Sequence, residues 1–282
     1  MYSRFYDALP TSSPAGRRLK CYSFFMMTAF FLLGFTLSSA QAATPSSLLE
    51  EIKALEPYRK HLVAENRPDI SDQDYLSALG GQPVSGIVLH EGIDAGQGWG
   101  VSVYDHPIGR VWSSITHEEV MDGKMSLDVS TVLEGPEHAH GRLIFQTLDL
   151  PRPLTDRYWV TRVSHGEEAY KRSRGRLWEV SWSDVTKTYS LANTEYASYE
   201  KKGTALEWTK GAWTLIPLSD GRTLVEYFAW SDPGGYIPPA IAARLAPGQV
   251  LKTLEEMEQI VREQREGPFP SKAVKPDGSR LR

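Results

Sequence analysis

The chain has 282 residues, 41% hydrophobic and 11% aromatic with 8 Trp and 13 Tyr, enough for one sizeable domain plus extensions. Its formal net charge of -4 excludes nucleic acid, where phosphate neutralisation supplies most of the affinity, and leaves no large basic surface for anionic membranes. The only cysteine is Cys21, so everything after it lacks a disulfide, a thiol nucleophile and a thiolate metal site.

Arg17, Arg18 and Lys20 precede a nearly all-apolar run from Tyr22 to Leu37, and Ala40-Gln41-Ala42 supplies small residues for cleavage. This pattern predicts a signal peptide over residues 1–42 and an exported protein, periplasmic or secreted; an uncleaved membrane anchor is the other reading of the same run. Cys21 stands before the apolar run and is badly placed for lipidation. Removing Arg4, Arg17, Arg18, Lys20 and Asp7 with this segment takes the formal charge from -4 to -7.

Residues 43–85 read as a helical extension. Ser47-Leu-Leu-Glu50 has the form of a capping box, followed by Leu48, Leu49, Ile52 and Leu55 at helical spacing. Ser71 is placed to cap a second helix through Tyr75, Leu76 and Leu79, closed by Gly80-Gly81. From Val84 the texture becomes strand-like. Gly86 to His90 and Trp99 to Tyr104 read as a hairpin whose Gly-rich turn includes Gly96-Gln-Gly98, with none of the flanking residues of a phosphate loop. Pro107 to His117 reads as a helix. Strands are expected over Leu127–Leu133, Arg142–Asp149, Arg157–Ser164, Arg176–Trp182, Tyr189–Tyr199, Trp208–Leu218 and Arg222–Trp230, several with one buried face. Pro247 to Arg265 carries Val250, Leu251, Leu254, Met257, Ile260 and Val261 on one stripe, an amphipathic helix that must bury against the sheet. Residues 267–282, Pro-rich and basic, read as a disordered tail.

Other constellations are weak. Glu137-His138-Ala139-His140 and His117 lack the convergent ligand spacing of a metal motif, and the pair reads as a solvated hairpin turn. Lys171-Arg-Ser-Arg-Gly-Arg176 reads as a solvated loop tip. No Gly-x-Ser-x-Gly elbow is present, and neither a metal nor a cofactor is expected.

Trp213-Thr-Leu-Ile-Pro217, an Asp220-Gly221 turn, Thr223 to Trp230, the loop Asp232-Pro-Gly-Gly-Tyr-Ile-Pro238 and the final helix follow one another in an order that resembles the C-terminal half of the START (StAR-related lipid transfer) domain. Leu150-Pro-Arg-Pro-Leu-Thr-Asp-Arg-Tyr-Trp-Val-Thr-Arg162 is similar to that family's Pro-x-Pro-Leu-Ser-x-Arg-Asp-Tyr-Val signature, with Asp156-Arg157 in the swapped order. The likeness, over residues 86–266, is to a bacterial exported member of the helix-grip (Bet v1-like) superfamily. It implies an α+β fold, a curved antiparallel sheet wrapped around a long C-terminal helix with an internal hydrophobic cavity. The resemblance further implies a lid formed by Gly234, Gly235, Tyr236, Ile237 and Pro238, and a buried charged pair that orients the ligand's polar head. Arg162 is the basic candidate and Glu179 or Glu226 the acid, with Arg162 facing either the cavity or, across the pleat, solvent. Trp182, Trp213, Tyr227 and Trp230 are candidate wall residues.

The leading reading is a monomeric binding or transfer protein for a lipid or other hydrophobic molecule, touching membranes only transiently and doing no chemistry. The alternative is a cyclase- or hydrolase-like enzyme of the same superfamily, using Glu226, Glu179 or Tyr227 as acid or base. A third reading is a ligand-dependent partner-binding module using the N-terminal helices or the tail.

Overall fold

A computed structural model describes residues 43–150, 155–234, 239–264 and 269–282. The expected signal segment lies outside them. Thr44 caps α1 (Pro45–Lys53): its hydroxyl accepts from Ser47 N–H, and Ser47 Oγ accepts from Thr44 N–H. The box therefore sits three residues earlier than Ser47–Glu50, because Pro45 has no N–H to leave unpaired at the first helical position. A single turn, α2 (Glu56–Arg59), follows, and Ser71 caps α3 (Asp72–Leu79), which Gly80 ends.

Nine strands form one sheet: β1 (Val84–His90), β2 (Ile93–Tyr104), β3 (Val129–Glu134), β4 (Leu143–Leu148), β5 (Arg157–His165), β6 (Trp178–Asp184), β7 (Thr204–Ala205), β8 (Trp208–Pro217) and β9 (Thr223–Asp232). The order is β1-β2-β9-β8-β6-β5-β4-β3 with every neighbouring pair antiparallel, and short β7 pairs with β5 in parallel. The helices are α4 (Ile108–Ile115), α5 (Glu167–Arg172), α6 (Tyr199–Lys202) and α7 (Pro239–Glu263), which places Pro247 inside α7 rather than in its first turn.

Alternation along the strands buries both faces of the sheet. Trp213, Leu215 and Val225 join the α7 stripe of Val250, Leu254, Met257, Ile260 and Val261 on one side. Ile216 and Leu224, one residue out of phase, join Leu48, Leu49, Ile52 and Leu55 of α1 and Tyr75, Ala78 and Leu79 of α3 on the other. The N-terminal helices are thus the outer layer of the domain. The α+β helix-grip architecture expected above is present.

Three local expectations differ. Gly96 and Gly98 lie inside β2 with Gly100, and the hairpin turns instead at Glu91-Gly92, where Gly92 has φ +74°. Gly100 clears room for α7: a Cβ there would stand 2.6 Å from Val250 Cγ1 and 2.8 Å from Leu254 Cδ1. Tyr189–Tyr199 is not a strand; its aromatic spacing serves a loop in which Tyr196 and Tyr199 pack on Phe145 at ring distances of 4.6 and 5.4 Å. Residues 269–282, expected to be disordered, pack through buried Ala273 and Leu281, and Val274 O accepts from Trp112 Nε1 at 2.7 Å.

Lys171 and Arg172 of the basic run are solvated but end α5 rather than lying in a loop tip, paired with Glu167 and Glu168 one helical turn away. The Glu137–His140 segment is not the solvated turn expected, because His138 is wholly buried with φ +60°. Among the described residues no helix is long and apolar enough to cross a membrane. Gly100→Ala should cost about 1–3 kcal/mol, the range for overpacking a filled contact, measurable by urea denaturation; α7 must move or Val250 and Leu254 must leave their rotamers.

Candidate ligand-binding cavity

Helix α7 packs chiefly on β2 and β1. Beyond that contact the sheet curves away and leaves a cavity of about 680 Å3, within the usual roughly 300–1,000 Å3 of a small-molecule site. Its wall is largely apolar: Ile115, Met121, Ile144, Val163, Val180, Leu206 and Val250, with the rings of Trp159, Trp182, Trp213 and Tyr227. Tyr227 lies 4.3 Å from Trp213 and 6.1 Å from Trp182, so three rings form one aromatic surface. Gly211 makes room for the Trp182 indole, since a Cβ there would sit 2.2 Å from its Cζ2.

Polar groups on this wall are few and mostly engaged. Trp159 Nε1 donates to Gln146 Oε1 at 3.0 Å, and Gln146 Nε2 donates to Ser130 Oγ at 3.1 Å. Arg157, from the signature segment, donates through Nε to Pro233 O at 2.7 Å and through Nη2 to Gly234 O at 3.2 Å. It therefore anchors the start of the Pro/Gly loop to β5. Gly234 takes φ +61° and its N–H donates to Asp232 Oδ1; the other lid candidates, Gly235, Tyr236, Ile237 and Pro238, lie outside the described residues.

The wall also holds a buried ion pair. Arg142 donates through Nε to Glu118 Oε2 at 3.0 Å and through Nη2 to Glu118 Oε1 at 2.5 Å. Its remaining N–H groups reach Ala139 O, Thr116 O and His165 Nε2. All five guanidinium donors are thereby used. Burial pushes the Glu118 carboxyl up, and Arg142 offsets this only in part. Burial, then the Arg142 charge, lowers His165 to about 3, keeping its imidazole neutral and able to accept from Arg142.

Trp182, Trp213 and Tyr227 thus face the cavity, whereas Arg162, Glu179, Glu226 and Trp230 do not. Arg162 is exposed and donates to Gly141 O. Trp230 stacks on His90 at 4.0 Å under the Lys210 ammonium. Glu226 and Glu179 project from the opposite face, where the N-terminal segment covers them. Arg59 meets Glu226 at 2.6 and 2.8 Å, Tyr75 donates to Glu226 Oε1, and Arg67 bridges Glu226, Glu179 and Thr214 Oγ1. Glu179 also accepts from Val63 N–H and Ala64 N–H. The reason is parity: residues an odd number apart on a strand point to opposite faces. Sequence reasoning missed Glu118, which opens a short 3-10 turn (Glu118–Met121), and Arg142, which stands just before β4.

By sequence, no family profile and no curated protein matches the chain. Solved structures do. A STAR-related lipid transfer protein fragment from Xanthomonas axonopodis is 18% identical with a TM-score of 0.52, over 64% of this chain and 93% of that one. Human STARD10 is 12% identical with a TM-score of 0.57, over 81% and 89%. Human StAR-related lipid transfer protein 5 is 10% identical with a TM-score of 0.53, over 79% and 98%. At these identities the likeness establishes the fold alone: the chain has the helix-grip fold of these structures.

Burial would raise the Glu226 carboxyl, but Arg59 and then Arg67 outweigh it and hold it at about 2 against an ordinary 4.5. A carboxylate lowered in the fold contributes stability above its unfolded pKa and loses it as pH falls through the folded one. Wild type should therefore lose roughly 3 kcal/mol from this group between about pH 4.5 and pH 2. Glu226→Gln should lack that acid-limb component and be about 3 kcal/mol less stable at pH 7, because two buried guanidinium groups lose their shared counter-charge. Denaturant unfolding across pH checks both.

Proposed function

We propose that the protein binds one hydrophobic small molecule, a lipid, in this cavity and carries it without altering it. The observation that carries the reading is the large, aromatic-walled cavity between α7 and the sheet. Two of the similar structures are of proteins named for lipid transfer. Apolar burial would supply the affinity at about 25 cal/mol per Å2. Export, inferred from the apolar run and the small residues before Ala43, belongs to the same proposal.

The polar inventory narrows the ligand. Arg142 has no free donor, so it offers nothing to an anionic head group. The Glu118 carboxylate retains lone pairs beyond those facing Arg142. The Tyr227 hydroxyl has no hydrogen-bond partner among the described residues, and burial pushes its pKa up, so it stays protonated at neutral pH. The cavity therefore presents the Glu118 acceptor and the Tyr227 hydroxyl beside further uncharged polar groups, among them Ser181, Thr209 and Thr253. These suit a neutral ligand ending in a hydroxyl group, such as a sterol or long-chain alcohol, better than a phosphate or carboxylate. For the enzymatic alternative, Glu179 and Glu226 point away from the cavity, and Tyr227 holds its proton too firmly to act as a base.

Fluorescence titration with a sterol and with its methyl ether tests this. Wild type should saturate with one sterol per chain and bind it about tenfold more tightly than the ether, the worth of one hydrogen bond to a carboxylate. Tyr227→Phe should weaken the sterol by about tenfold. Failure of both ligands to saturate, with tight binding of a fatty-acid anion, would reverse the assignment.

A further inference from the structure

His117, Glu137 and His138 converge although they are distant from any metal motif in sequence. One ligand atom from each lies within 4.8 Å of the other two. His117 Nε2 stands 2.8 Å from Glu137 Oε1, and the two imidazole rings are 5.1 Å apart. His138 is wholly buried, yet among the described residues its Nε2 has no hydrogen-bond partner. His117 Nδ1 is likewise without one, and Glu137 Oε1 has only His117 Nε2 beside it. Two unpartnered imidazole nitrogens in one place need an explanation, since burying a polar group unpaired costs on the order of 1–3 kcal/mol.

The tautomer of His138 is set by its neighbour. Thr116 Oγ1 donates its single proton to Trp112 O at 2.9 Å and lies 2.9 Å from His138 Nδ1. The hydroxyl must then accept from His138 Nδ1–H, which leaves Nε2 carrying the lone pair. That is the ligating form of a histidine, with the supporting hydrogen bond on the far nitrogen.

We propose that His117, Glu137 and His138 bind a divalent transition-metal ion of the zinc type. Two imidazoles and a carboxylate suit such an ion and not a hard cation held by oxygen alone. Around a tetrahedral ion with bonds near 2.1 Å the donors stand about 3.4 Å apart, so the cluster must contract. His117 and Glu137 are only half-buried and have room to turn. None of the three lines the cavity. The ion instead joins the turn after α4 to the loop before β4. Those two segments supply Thr116 O and Ala139 O to Arg142, and they carry Glu118 and Arg142 themselves. Metal binding would fix the ion pair at the cavity wall, and Thr116 is a positioning residue for it.

The test is isothermal titration of the purified, chelator-treated full-length protein with Zn2+, paired with the visible d–d absorption of bound Co2+. One ion per chain should bind, raise the melting temperature, and give an intense tetrahedral Co2+ spectrum. Because His138 is buried, the informative variants are His117→Ala and Glu137→Gln, each expected to lose affinity by at least 100-fold while keeping the wild-type circular dichroism spectrum. Thr116→Val should weaken binding 10- to 100-fold, the usual effect of removing a ligand's supporting partner. No saturable binding of either ion would overturn the proposal. So would binding that both ligand variants leave unchanged, which would mark an adventitious surface site.

Discussion

Where α7 touches the sheet decides the rest of the architecture. The helix rests on β2 and β1, and Gly100 lets Val250 and Leu254 of the helix approach the strand where a side chain would stand. Contact this close on one flank of a curved sheet lifts the helix away from β8, β6, β5 and β4. The gap is then bounded by aromatic rings that span the distance without closing it. A well-packed interior tolerates few voids larger than a water molecule. A gap of this size between a helix and a sheet, with an apolar wall, is the feature on which the proposed binding of a hydrophobic molecule rests.

The two buried charge clusters divide the labour between the faces. On the outer face Glu226 and Glu179 fasten the N-terminal helices through Arg59 and Arg67, with every carboxylate oxygen accepting at least one hydrogen bond. The desolvation cost is recovered only while all partners are present, so this network makes the N-terminal extension integral to the domain. On the inner face Arg142 and Glu118 satisfy each other and leave lone pairs on the carboxylate alone. One cluster fixes structure; the other gives an apolar cavity its direction.

Much of this was legible from residues. The period-two runs located the longer strands except the first half of β2, which reads as a turn in sequence, the 3.6-residue stripe from Val250 to Val261 located the gripped helix, and the motif order pointed to the fold. The candidate site was legible only in part. Glu226 and Tyr227 are adjacent, and Glu179 and Trp182 are three apart, so a single face never held them all. That much parity was available from the start. Which set faces the cavity was not, because the N-terminal helices bury the outer face as well and erase the polar-out signal. The glycines at 96, 98 and 100 carried a strand period but have the composition of a turn. Glu118 and Arg142 are 24 residues apart and meet only through the tertiary fold.

Native mass spectrometry of the protein, purified without detergent, tests the cavity reading most directly. The account predicts a chain carrying one neutral, hydroxyl-bearing lipid, released when the protein is unfolded and identifiable by its exact mass. A chain of bare polypeptide mass that also takes up no lipid from mixed vesicles would contradict it.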